Sequence, residues 1–101
     1  MLSAAEQTAL REFMIRVRQL LGPELKSARL FGSRARGEGH EYSDLDIALV
    51  VGSGVRARRY EIYDLAYDIG LEHRMILAPM MIEETRFQEL KDRERLIVSE
   101  I

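Results

Sequence analysis

Apolar side chains recur at Leu10, Phe13, Met14, Val17, Leu20 and Leu21, a three- and four-residue spacing that lays one stripe along a helix. The segment opens with Ser3-Ala-Ala-Glu6, in which the serine and the glutamate can each cap the other's backbone N–H, and Gly22-Pro23 stops it. The period then shortens. Residues 27–31 predict a short strand and residues 44–51 a second, whose positions 47–51 are apolar without interruption. Such a run fits a strand covered on both faces. Gly52-Ser-Gly54 breaks it. From about residue 56 to residue 69 the helical period returns, with Ile62, Leu65, Ala66 and Ile69 inward and Gly70 as the stop. Residues 73–81 predict a third strand; Pro79 within it predicts an edge position or a bulge, because proline donates no ladder hydrogen bond. Residues 83–92 predict a short helix, and residues 95–101 either an edge strand or a last helical turn. The order αβ(loop)βαβα predicts an α+β fold over residues 1–101 as a single domain, a small mixed sheet flanked by helices.

Composition narrows the chemistry. With 101 residues, 47% apolar and 32% charged, the chain reads as one globular domain with a modest core, so docking to a partner is plausible. Cysteine is absent, which excludes a disulfide scaffold, a zinc knuckle and a thiol nucleophile. No uncharged apolar run reaches the roughly 18 residues a membrane span needs. The opening MLSAAEQTALREF lacks a basic region followed by an apolar block, so no secretory signal is expected and a cytoplasmic location is. A net charge of -2, from 15 basic and 17 acidic side chains, argues against a general nucleic-acid coat. Thirteen of the basic residues are Arg, the side chain suited to fixed, bidentate contacts with phosphate or carboxylate.

The chemistry concentrates in residues 32–46. Asp44 and Asp46 are two apart at the start of a predicted strand, so their carboxylates project from one face. Two like charges that close raise one pKa unless a cation sits between them, and Mg²⁺ is commonly held by one or two carboxylates together with phosphate oxygens. Taken alone, such a pair is more often the solvated edge of a strand. Gly32-Ser33 follows the preceding strand directly. A glycine there admits close backbone approach, and N–H groups at a helix start favour an anion. Alone, this too is ordinarily a tight turn with a serine cap. No Gly-x-x-x-x-Gly-Lys-Ser/Thr loop is present.

In combination, Gly32, Ser33, Gly37, Ser43, Asp44 and Asp46 resemble the motif of the minimal nucleotidyltransferases of the DNA polymerase β-like nucleotidyltransferase superfamily. The element order extends the resemblance over nearly the whole chain. The resemblance implies a nucleoside triphosphate whose β,γ-phosphates lie on the Gly32-Ser33 turn, with Ser43 also at the nucleotide. It implies Mg²⁺ held by Asp44 and Asp46, in-line attack by an acceptor hydroxyl, and departure of pyrophosphate. Arg34 and Arg36 either neutralise phosphate charge or form a solvated turn. Superfamily members add a third carboxylate from a later, adjacent strand. Taking residues 72–77 as that strand puts Arg74 at the expected place; either Glu72, two residues earlier on the same face, supplies the third metal ligand, or the triad is incomplete.

Other residues carry weaker signals. His40 is read as exposed, and His73 as pointing away from Glu72 without a metal role. Arg56, Arg58 and Arg59 oppose a helix macrodipole, which suggests either a phosphate or acidic partner nearby or a solvated face paired with Glu61. Met75, Met80 and Met81 are read as core filler. Stand-alone chains of this type are commonly encoded beside a helical HEPN-domain toxin, and some transfer AMP from ATP to a tyrosine of that toxin. The leading expectation is therefore an antitoxin that adenylylates its partner. The alternative is a non-catalytic module that binds nucleotide or partner and neutralises by occlusion. A weaker reading is a nucleic-acid-binding regulator using the Arg clusters.

Overall fold

Ser3 and Glu6 start the first helix by capping each other. The Ser3 hydroxyl accepts from the Glu6 N–H at 3.1 Å, and the Glu6 carboxylate accepts from the Ser3 N–H at 2.8 Å, so two donors left free at the helix end are satisfied. The computed structural model describes residues 2–32, 44–92 and 99–100. Within them α1 is Ala4–Leu21, β1 Leu25–Phe31 and β2 Leu45–Val51. Helix α2 is Arg59–His73, β3 Leu77–Glu83, α3 Glu84–Asp92 and β4 Ser99–Glu100. The predicted α+β order is observed, and of the two alternatives for the tail the edge strand is found.

The sheet runs β3-β2-β1-β4. Strand β1 is antiparallel to β2 and β4, and β3 is parallel to β2, so the sheet is mixed. The apolar run of β2 is explained by this central place. Ile47, Leu49 and Val51 join the main core with Phe13, Met14 and Val17 of α1 and Ile62 and Ile69 of α2. The alternate residues Ala48 and Val50 pack on the opposite face with Ile82 and with Phe87 of α3. Helices α1 and α2 thus cover one face, and α3 covers part of the other. Pro79 lies on β3, an outermost strand, as its missing N–H predicts. Among the described residues no helix is long and apolar enough to cross a membrane.

The junction between α2 and β3 departs from the sequence pattern. Gly70 does not stop the helix, and residues 73–76 are not strand. The chain folds back against Gly70: the Met75 N–H donates to the Gly70 carbonyl at 2.9 Å, and a Cβ at position 70 would lie 2.6 Å from the Met75 carbonyl oxygen. The glycine is there for close approach, the helix continues to His73, and the reversal falls on Arg74 in the left-handed region at φ 56°. That backbone costs a non-glycine residue about 1–2 kcal/mol. Arg74→Gly is therefore expected to stabilise the domain by about 1 kcal/mol, a rise of about 4–8 °C in Tm for a domain of this size. A fall in the thermal midpoint would show that the Arg74 side chain contributes more than its backbone costs.

Candidate active site

Asp46 is the second residue of β2 and pairs across the sheet with Phe31 of β1 on one side and Ala78 of β3 on the other. Asp44 stands one residue before the strand and is exposed. The intervening Leu45 is held in strand geometry, its N–H donating to the Ile76 carbonyl at 3.0 Å. Alternation puts both carboxylates on the face that carries Ala48 and Val50. Asp46 is half-buried. Its burial first, and then the negative charge of Asp44, push its carboxyl above the ordinary carboxylate value. The two acids are therefore close enough to repel.

Asp46 regains its ordinary value on unfolding. Between that value and the raised one the native state binds the extra proton, so stability falls as pH rises through this window. Asp46→Asn removes the ionised carboxylate. In buffer free of divalent cations its Tm is expected above that of wild type at pH 7, with the gain vanishing as pH drops below 3.8. Equal melting temperatures across the range would refute the electrostatic cost.

The end of β1 is built against this pair. Gly32 follows Phe31 with φ 79°, and a Cβ there would fall on Asp46 Oδ2. Glycine alone lets the backbone turn this close to the carboxylate. The first residue of the predicted phosphate turn and the second acid of the pair are thus adjacent in space. Ser33, Arg34, Arg36, Gly37, Gly39, His40 and Ser43 lie outside the described residues. The donor set fits Mg²⁺: two carboxylates on one face offer hard oxygen ligands, and the Asp46 carboxylate lies where a side chain at position 32 would otherwise stand, directly against the turn.

Glu72 does not join the pair. Residues 72 and 73 are the last turn of α2 and do not alternate along a strand. Among the described residues, the Glu72 carboxylate groups instead with Glu12 of α1 and with His73, the ligand atoms lying within 4.8 Å of one another. His73 Nε2 is 2.9 Å from Glu12 Oε2, so His73 ties α2 to α1 and does not point away from Glu72 as the strand pattern predicted. Arg74 is the left-handed cap of α2 and does not occupy the place of a third aspartate. The residue facing Asp46 from β3 is Ala78, and its neighbours on that face are Ile76 and Met80. No acid stands there.

The arginines that open α2 are largely used internally. Arg58 donates to Glu61 at 2.8 Å and to the Leu20 carbonyl at 2.8 Å, and Arg59 donates to the Arg56 carbonyl at 2.9 Å. The pairing with Glu61, one of the two sequence readings, is the one found for Arg58. Of the three methionines read as filler, Met81 is buried and Met75 packs against the core, but Met80 is 42% exposed. A second stripe on α2, Tyr60, Tyr63, Tyr67 and Leu71, stays exposed. The signal was present as a three- and four-residue spacing beside the buried stripe.

Residues 10–98 match the model of a family described as the nucleotidyltransferase domain. A candidate protein adenylyltransferase of Methanocaldococcus jannaschii is 37% identical over 78 residues, covering 73% of this chain and 52% of the relative. The chain thus spans about half the length of that curated relative. A crystal structure of a candidate nucleotidyltransferase from Sulfolobus solfataricus superposes with a TM-score of 0.61 at 24% identity, over 97% of this chain and 87% of the other, and so shares the fold. A toxin–antitoxin complex solved with AMP-PNP overlaps less, with a TM-score of 0.45 at 24% identity, over 71% of this chain and 55% of that one.

Proposed function

We propose, from the premise that this chain belongs to the nucleotidyltransferase domain family, that it transfers AMP from ATP to a hydroxyl of a partner protein. The observation that carries this reading is the close approach of Gly32 to the Asp46 carboxylate beside Asp44. It brings a backbone turn suited to phosphate against a pair of carboxylates suited to a divalent cation. In this reading Asp44 and Asp46 would hold Mg²⁺, which would supply charge neutralisation at the phosphates. Gly32 and Ser33 seat the β,γ-phosphates, with Arg34, Arg36 and Ser43 along the same nucleotide. The acceptor oxygen bonds to the α-phosphorus, the bond to the bridging oxygen of the β-phosphate breaks, pyrophosphate leaves, and the hydroxyl proton passes to water.

The finer reading is an antitoxin acting in the cytoplasm on a tyrosine of a HEPN-type toxin. It is supported by the family resemblance of the motif residues, while the name of the Methanocaldococcus relative supports only transfer of AMP to a protein. The second reading, a module that neutralises a partner by occlusion without catalysis, is favoured by one specific observation. Ile76, just before β3, and Ala78 and Met80 within it take the positions beside the acid pair, and no side chain among them can serve as base or ligand.

The test uses ATP labelled at either the α- or the γ-phosphate, with Mg²⁺ and an extract of the source cells. AMP transfer places α-label, and no γ-label, on a protein. Transfer of γ-label would identify a phosphoryl transferase. No label on any macromolecule, with a partner still bound, would favour occlusion.

A further inference from the structure

Between α2 and the outer edge of β3 lies an open groove of about 590 Å³. Tyr63, Tyr67, Leu71, Ile76 and Pro79 line it, together with Arg74. Tyr67 is 67% exposed and Leu71 62%, values high for large side chains that cluster on one flank. Among the described residues the Arg74 guanidinium has no partner. Asp64, Asp68 and Glu72 form an exposed acidic row along the adjoining strip of α2.

The groove adjoins the strand that carries the acid pair, coming from the α2 side of the sheet. Ile76, in the groove, accepts through its carbonyl from Leu45, the residue between Asp44 and Asp46. The sheet order then sets direction. Asp46 has β1 and the Gly32 turn on one flank and β3 on the other. Phosphates seated at Gly32 put the leaving pyrophosphate on the β1 flank. Displacement with attacking and leaving oxygens in line requires the incoming hydroxyl from the opposite side, the flank where the groove lies.

We infer that this groove seats the acceptor protein, taking an amphipathic segment whose apolar side chains fill it, whose basic flank meets Asp64, Asp68 and Glu72, and whose single acid pairs with Arg74. The inference rests on the transferase reading and adds the acceptor's position and chemistry to it. A nucleic-acid acceptor fits poorly, because the acidic row would repel its phosphates.

The experiment compares wild type, Tyr67→Glu/Leu71→Glu and the control Ile15→Glu. Ile15 is 49% exposed on α1, and all three replaced side chains already face solvent, so folding is retained. Transfer of α-label from ATP into a whole extract of the source cells is followed alongside Mg²⁺-dependent ATP binding by equilibrium dialysis. The expected result is protein labelling in wild type and in the control, and a loss of about tenfold or more in the groove variant, with ATP binding unchanged. Asp64→Lys/Asp68→Lys is expected to weaken labelling in the same way.

Equal labelling in all forms would overturn the groove assignment and leave the transferase reading standing. Label on RNA or a small molecule would overturn the occupant. Loss of ATP binding together with labelling would make the groove a nucleotide subsite and overturn the assignment. Absence of label in wild type, with ATP still bound, would overturn the transferase reading and the groove's role with it.

Discussion

Replacing both Asp44 and Asp46 by asparagine is expected to abolish transfer of α-labelled AMP, by at least about 10³-fold. A cation held by this pair is worth several kcal/mol of charge stabilisation in the transition state, and each 1.36 kcal/mol is about a factor of ten in rate. The substitution removes both charges while keeping the size and hydrogen-bonding shape of the side chains. The folded state does not suffer: Asp46 is already penalised by burial and by its neighbour, so the double variant is expected to melt no lower than wild type at neutral pH. Loss of transfer in a protein that melts normally separates chemistry from folding. Undiminished transfer would remove the two aspartates from the reaction. Full neutralisation of a toxic partner by the inactive variant would establish occlusion as sufficient.

Gly32→Ala is expected to damage both the fold and the reaction. Two costs combine at this position. The backbone lies in the left-handed region at φ 79°, which disfavours alanine by about 1–2 kcal/mol. The new Cβ also falls on Asp46 Oδ2, so the carboxylate or the turn must move. A misplacement of about 1 Å in a reacting arrangement costs about 10²-fold, and transfer is expected to fall by at least that much. Asp46→Ala discriminates the two costs. In that background only the ordinary contact of the new Cβ with Cβ of residue 46, at 3.6 Å, remains. The stability loss from Gly32→Ala should shrink to its backbone part, a non-additivity measurable by denaturant unfolding of the four forms. Strict additivity would show that the turn relaxes away from Asp46 without cost.

Local rules carried much of this molecule. The Ser3–Glu6 box, the stripe from Leu10 to Leu21 and the stop at Gly22-Pro23 depend on residues a few positions apart, and each is found in place. The uninterrupted run at 47–51 implied a strand buried on both faces, and β2 is the strand whose two faces meet different layers. The acid pair was legible for the same reason, since alternation along one strand needs no knowledge of the rest of the chain.

The junction of α2 and β3 departs from the local pattern because its deciding contact, the Met75 backbone against Gly70, is tertiary. Glycine after an inward-facing helical stripe ordinarily ends a helix. Here Gly70 is required by the approach of the Met75 carbonyl, and the stop moves on to Arg74. Moving the start of β3 to Leu77 removed Glu72 from the sheet and set Ala78 opposite Asp46.

By itself the sequence determined the α+β order, the central strand and the Gly32, Asp44 and Asp46 constellation, because helical period, strand alternation and turn chemistry act between near neighbours. Tertiary structure alone decided that Gly32 presses against Asp46, that β3 sets Ala78 and not an acid beside Asp46, and that a tyrosine-lined groove opens on the flank opposite the turn. Those facts depend on which strands become neighbours and in what register, and register is set by the whole core packing at once.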